Sequence, residues 1–300
     1  MVLPGESAHD LQKPERAWEL LKPWGLTPDN ATLERSAVYR FQARWARQWN
    51  KGRCLIGGDA AHLMPPFAGE GMCAGIRDAV AMAWRLNGIL EDRLGLDVLD
   101  SYTSERIAHA RHYIDFSQEL GQIICIADET TAAERDARMI ADLAARGGTP
   151  VPTDICQLGS GAWCAENTHA GELSVQGVVE RDGRQGRFDQ VAGQGWVLLG
   201  HGVDPLAALT EAQRRQFAAL EGVAVRLAAP DGSAGIAAGD VVDVEGTMGR
   251  WLDRIGARYV LIRPDFYVAL TAESPDALHS RFARVMQALH LRADQAIAAE

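Results

Sequence analysis

Lysine is nearly missing from this sequence: Lys13, Lys22 and Lys51 stand beside 27 arginines. Acids outnumber bases by 40 to 30, for a formal net charge of −10. A chain of that sign repels phosphate backbones, and its arginines are scattered rather than gathered in a patch, which excludes a nucleic-acid role. Cysteine is sparse too. The five residues Cys54, Cys73, Cys125, Cys156 and Cys164 form no C-x-x-C pair and no Cys/His cluster at metal-ligand spacing, which excludes a zinc ribbon or other metal centre of that type. Free thiols fit a reducing cytoplasm. Long apolar runs are absent as well, since the most apolar long segment, residues 72–90, carries Arg77, Asp78 and Arg85; a spanning helix needs about 18 uninterrupted apolar residues. The first twenty residues hold Pro4, Glu6, Asp10 and Pro14 instead of a basic stretch and an apolar run, so no signal peptide is expected. What remains is a 300-residue chain, 47% hydrophobic and 23% charged, with the composition of a soluble, cytoplasmic globular protein of one large or two ordinary domains.

Pattern changes near residues 146–154, where RGGTPVPTD interrupts a helical stretch with two glycines and two prolines, the signature of a linker. Before it, residues 14–22 read as a helix opened by proline, residues 37–41 alternate like a strand, and residues 54–57 form a short apolar strand ending in Gly58-Asp59. Met72, Ile76, Val80, Ala83, Leu86 and Leu90 recur at helical spacing and predict a core-facing stripe. A second helical region, residues 98–145, places Leu99, Tyr102, Ile107 and Ile114 on one face, with breaks expected near Gly121 and Asp128. After the linker come strands over 195–199, 223–227, 259–262 and 266–270 and helices over 209–220 and 278–289. Arg263-Pro264-Asp265 joins the last two strands, a connection short enough for a hairpin.

The informative segment is CLIGGDAAHLMPPFAGEGMCAGIRDAVAMAWRL, residues 54–86. Gly69, Gly71 and Ala74 satisfy the dinucleotide pattern G-x-G-x-x-G/A, yet about ten residues, Pro65 and Pro66 among them, separate these glycines from the strand. A pyrophosphate-binding Rossmann loop puts its first glycine directly after the strand, so that reading fails here. The segment instead offers Asp59 at the C-terminal end of a strand expected to be buried, where open α/β sheets bind ligands. It also offers a helix start at Gly69 to Met72 whose backbone N–H groups favour an acceptor or a negative charge. Asp59 could equally be a turn or helix cap, and His62 a core, capping or catalytic histidine.

Taken as a whole, the segment resembles the second flavin-binding motif of the FAD-dependent aromatic-ring monooxygenases: G-D-A-A-H, then P-P, G-x-G, and a later Asp before W-K/R-L. It is most similar to the 3-(3-hydroxyphenyl)propionate hydroxylase branch, through Gly71-Met72-Cys73, PERAWELL at 14–21, AVYRFQARWA at 37–46 and RPDFYVA at 263–269. The resemblance implies an α/β fold: a partial FAD-dependent hydroxylase domain of the FAD/NAD(P)-binding type (residues 1–145), a linker (146–165) and a thioredoxin-like α/β domain (166–300). It implies FAD held by Gly58, Asp59, Pro65, Pro66, Gly69, Glu70, Gly71 and Met72, with NADH or NADPH as electron donor and a phenolic acid such as 3-(3-hydroxyphenyl)propionate as substrate. Glu70 departs from the Gln common in relatives, and no catalytic residue is assigned.

The N-terminal G-x-G-x-x-G unit of the family does not occur in this sequence. The expectation is therefore a C-terminal portion of a longer hydroxylase, which alone holds FAD weakly and hydroxylates nothing. The thioredoxin-like region lacks the two closely spaced thiols that redox work needs, so it is expected to be redox-inert and to fold as its own unit. A homo-oligomer is expected, with no nucleic-acid or membrane partner. The competing reading is a non-catalytic oligomerisation or partner-binding module.

Overall fold

The computed structural model describes residues 2–3, 5–149, 156–229 and 235–292. In chain order these form α1 (Ala8–Leu11), α2 (Pro14–Leu21), β1 (Arg44–Trp45), β2 (Asn50–Lys51), β3 (Cys54–Leu55), β4 (His62–Leu63), α3 (Gly71–Leu90), α4 (Val98–Ile124) and α5 (Glu129–Ala145). Then follow β5 (Val178–Arg181), β6 (Arg184–Arg187), α6 (Phe188–Val191), β7 (Val197–His201), α7 (Glu211–Ala219), β8 (Val223–Ala228), β9 (Val241–Asp243), α8 (Thr247–Arg254), β10 (Tyr259–Ile262), β11 (Val268–Ala272) and α9 (Pro275–Ala288). Among the described residues no helix is long and apolar enough to cross a membrane. The chain divides into two compact units, one of Met1–Arg44, Leu63–Glu70 and Tyr113–Pro152, the other of Trp45–His62, Gly71–His112 and Thr153–Glu300.

In the first unit Pro14 opens α2 at a position where its missing N–H is not needed. Asp128 caps α5 by accepting from the Thr131 backbone N–H at 2.8 Å. Residues 37–41 are not a strand: alternation alone forms none without a ladder partner, and no neighbouring chain offers one among the described residues. Nor does Gly121 break a helix. It lies inside α4, and a Cβ built on it would stand 2.6 Å from the Phe67 ring, so glycine is there to admit that ring. Gly121→Ala should gain about 1 kcal/mol of helix propensity and lose about 1–3 kcal/mol to overpacking. A net loss of up to about 2 kcal/mol in urea unfolding is expected, and a gain would contradict the contact.

The second unit is built on a seven-stranded mixed sheet in the order β11-β10-β7-β8-β9-β5-β6. β7, β8 and β9 run parallel, while β10 pairs antiparallel with both β7 and β11. The hairpin expected across Arg263-Pro264-Asp265 is thus present. Along β7 the side chains alternate: Leu198 joins one core with Phe217 of α7 and Phe282 of α9, whereas Val197 and Leu199 join another with Met248 and Trp251 of α8. The sheet is covered on both faces, which is why its central strands read as continuous apolar runs. The antiparallel pair β5 and β6, joined to the sheet through β9, was not legible because Glu180, Arg181, Arg184 and Arg187 break its apolar alternation. The core holding α7 and α9 also contains Trp84 of α3, Leu94, and Val98 of α4. The C-terminal sheet therefore shares its core with helices that precede the linker.

Candidate functional site

Helix α3 buries Ala74, Asp78, Ala81, Trp84, Arg85 and Gly88, so apart from Trp84 its inward face is made of small and charged residues. The expected apolar stripe is overturned: Met72, Ile76 and Leu90 are 74%, 56% and 83% exposed. Hydrophobic periodicity pointed the wrong way because, Trp84 aside, close backbone approach and buried ion pairs occupy the packed face. Helix α4 answers with Tyr102, Glu105, Arg106, His109 and Ala110, all buried. Buried charges must be paired to be tolerated, and here each acid is.

The Asp78 carboxylate is fully buried. Its Oδ2 accepts from the Gly58 backbone N–H at 2.9 Å and from His62 Nε2 at 2.8 Å, and its Oδ1 accepts from Arg106 Nε at 2.8 Å. Burial pushes this carboxyl up, but the His62 hydrogen bond and the Arg106 charge outweigh it and hold it below the usual range. The Tyr102 hydroxyl donates to the Ile56 carbonyl at 3.0 Å. A Cβ on Gly57 would approach that hydroxyl to 3.0 Å and Met82 to 2.9 Å. Gly58 has φ +56°, a conformation suited to glycine, and a Cβ on Gly75 would stand 3.5 Å from the Gly58 Cα. The Gly58–Ala60 turn is thus seated directly on the backbone of α3, one turn in from Gly71.

Two helical turns further along α3, at Arg85, and on the residue next to Arg106 in α4, at Glu105, lies a second cluster. Glu105 accepts from Arg85 Nη2 at 2.8 Å, from Arg263 Nη1 and Nη2 at 2.9 and 2.8 Å, and from the Ala162 N–H at 2.7 Å. Arg263 Nε also donates to Asp265 at 2.9 Å, and Trp84 Nε1 donates to Asp265 at 2.9 Å. Arg85 and Arg263 lie 4.2 and 5.1 Å from the Trp84 ring centre. Burial would raise the Glu105 carboxyl, but the two arginines hold it down to about 2.

His109, 3.3 Å from the Tyr267 hydroxyl, is held down to about 2 by burial and by Arg106, Arg77, His112 and His62 around it. It stays neutral in the fold while the unfolded chain takes up a proton near 6.5. Below that pH the unfolded state binds more protons, so stability falls on acidification by up to about 1.4 kcal/mol per pH unit. Glu105 adds to the fall below about 4.5, its ordinary value. Urea midpoints should therefore drop from about pH 6.5 downward in the native protein, and from about 4.5 in His109→Gln; a flat profile to pH 5 in the native protein would contradict this.

The residues expected to hold a cofactor fall in both units. In the second, Asp59 is exposed in the Gly58–Ala60 turn, with no side-chain hydrogen bond among the described residues, and Gly71 and Met72 begin α3. Asp59 does not end a buried strand: β3 spans only two residues, exposed and half-buried, in a hairpin with β2. In the first unit Pro65 precedes a short 3-10 turn, Pro66–Ala68, that ends at Gly69 with φ +67°. Its carbonyl accepts from the Ser117 hydroxyl. Glu70 is half-buried. His62, in the second unit, is buried and bonded to Asp78. The sequence reading placed Tyr102 on the packed face of α4 but missed Glu105 and Arg106, which lie three and four residues further along the same face.

Residues 6–117 match the family model described as FAD binding domain, and residues 171–288 that described as HcaD C-terminal domain. The chain is 34% identical over 256 residues to a probable NADH-specific resorcinol 4-hydroxylase of Rhodococcus jostii (strain RHA1), covering 85% of this chain and 46% of the relative. It is 32% identical over 301 residues to a 3-(3-hydroxy-phenyl)propionate/3-hydroxycinnamic acid hydroxylase of Burkholderia vietnamiensis (strain G4 / LMG 22486), covering 91% and 54%. The chain spans about half the length of these curated relatives. Among solved structures it is similar to aklavinone-11 hydroxylase in complex with FAD and aklavinone, at 23% identity and TM-score 0.64, covering 94% of this chain and 52% of that one. It is also similar to the flavin-dependent monooxygenase PieE in complex with FAD and substrate, at 20% identity and TM-score 0.65, covering 96% and 56%.

Proposed function

We propose, from the match to the FAD binding domain model and the likeness to the two hydroxylases, that the chain belongs to the FAD-dependent aromatic-ring monooxygenase family and is the part of such an enzyme that holds the flavin ring and its ribityl chain. The observation that carries this reading is the Gly58–Ala60 turn, locked on α3 by Asp78 while Asp59 is left exposed and uncommitted. Those residues fit the group: an unpaired carboxylate suits the ribityl hydroxyls, and the Gly71 and Met72 backbone N–H groups at a helix start suit the acceptors and charge of the pyrimidine edge. By the motif resemblance alone, Pro65, Pro66, Gly69 and Glu70 are proposed as further flavin-binding residues, the prolines stiffening their loop. Bound FAD supplies hydride acceptance and oxygen activation. The protein's share is binding, orientation and exclusion of water.

The reaction proposed is hydroxylation of a phenolic acid such as 3-(3-hydroxyphenyl)propionate, one oxygen atom of O2 entering the ring and the other leaving as water as NAD(P)H is oxidised. NADH is favoured as donor by the name of the resorcinol hydroxylase relative. We propose a domain division at residues 146–165, supported by the two family matches on either side; residues 150–155 lie outside the described ones. A thioredoxin-like reading of residues 166–300 is supported by β7, α7 and β8 followed by β10, β11 and α9, in the sheet order β8-β7-β10-β11. No dithiol serves it: Cys164 is a free, buried thiol with its pKa raised by burial. The exposed Met72, Ile76 and Leu90 of α3 support self-association. Titration with FAD and a 3-hydroxyphenyl acid while following NADH consumption tests the reading. Saturable flavin binding supports the site, and substrate-stimulated NADH consumption would add that this chain is active by itself; no binding at millimolar FAD counts against the site.

A further inference from the structure

The β10–β11 hairpin reaches α4 at two points one helical turn apart. Arg263 makes a two-pronged contact with Glu105, and the Tyr267 hydroxyl meets His109 Nε2. Arg106, next to Glu105 on the same helix, makes a single side-chain bond, Nε to Asp78; its buried Nη1 and Nη2 have no hydrogen-bond partner among the described residues. A guanidinium held by one bond is positioned by the backbone that carries it. The register of α4 therefore decides where Arg106 meets Asp78, and Asp78 in turn holds the Gly58 N–H and His62. A shift of α4 by about one ångström would break either the Arg263 fork or the Arg106 bond, because such bonds weaken steeply outside their narrow distance range.

We propose that the C-terminal sheet, which has no dithiol of its own, acts as a brace for the Gly58–Ala60 turn, with Arg263 and Tyr267 as positioning residues that work through α4. The importance of that turn rests on the flavin reading above; the mechanical linkage does not. The path is contiguous, buried and contained in one compact unit. Each carboxylate oxygen of Asp78 is committed, so the turn cannot relax without releasing a buried charge.

Native-state hydrogen exchange of the full chain tests the brace. Tyr267→Phe removes one hydroxyl from an otherwise unchanged ring, and Arg263→Lys keeps the charge while losing the fork. In both, the Gly58 amide should exchange faster, by several-fold to about tenfold in Tyr267→Phe, while Leu198 and Leu199 of β7 keep their native rates. Should Arg263→Lys fail to fold, Tyr267→Phe carries the test by itself. Gly58 protection equal to the native protein's, or a rise at Gly58 matched by the same factor at Leu199, would overturn the proposal. FAD affinity measured on the same variants separates the two readings. Faster Gly58 exchange with unchanged FAD affinity leaves the brace standing and takes the Gly58–Ala60 turn out of the flavin site.

Discussion

Glu105→Gln should lower unfolding stability by about 3–5 kcal/mol, the usual result of leaving buried charges without their partner. Arg85 and Arg263 both pair with this carboxylate, and both are fully enclosed. With Gln in place, two buried guanidiniums share only Asp265, which bonds Arg263 alone of the two. The loss should appear as a lower urea midpoint at constant slope, since the change affects stability and not the surface exposed. Replacing Glu105, Arg85 and Arg263 together by apolar residues of similar size should recover much of it, because what destabilises is the unpaired charge. A loss under about 1 kcal/mol in Glu105→Gln would mean that water reaches the cluster.

Asp59→Ala should behave in the opposite way, leaving the fold alone and changing binding. The carboxylate is exposed and bonded to nothing among the described residues, so stability should stay within about 0.5 kcal/mol. A charge-assisted hydrogen bond to a ribityl hydroxyl, worth about 1.5–3 kcal/mol, corresponds to roughly a ten- to hundredfold loss of FAD affinity. An equilibrium titration gives both numbers when paired with a melt. Equal dissociation constants for the two proteins would take Asp59 out of the site.

Reading of the chain succeeded where local chemistry and tertiary role coincide. Pro14 starts a helix because its ring suits the first turn, and the Arg263-Pro264-Asp265 connection is too short for anything but a hairpin. Central strands such as β10 are buried on both faces, so their apolar runs speak plainly. Legibility failed where packing is made by small or charged residues. The buried face of α3 carries Ala74, Asp78, Ala81, Arg85 and Gly88 beside the single large residue Trp84, a set that a count of large apolar residues would not choose. Asp78 and Arg85 read as interruptions of an apolar stripe when they are the residues that hold it in place, through partners 28 and 20 positions away. Asp59 was recognised from its motif, but the strand before it is a two-residue hairpin arm and not the buried strand of an open sheet.

The most direct measurement of the central claim is a hydrogen-exchange footprint of the chain with and without millimolar FAD. Slowed exchange is expected in peptides covering residues 57–62 and 69–75, with a smaller effect in Asp59→Ala at the same FAD concentration. Protection confined to the C-terminal sheet, or none anywhere, would contradict it.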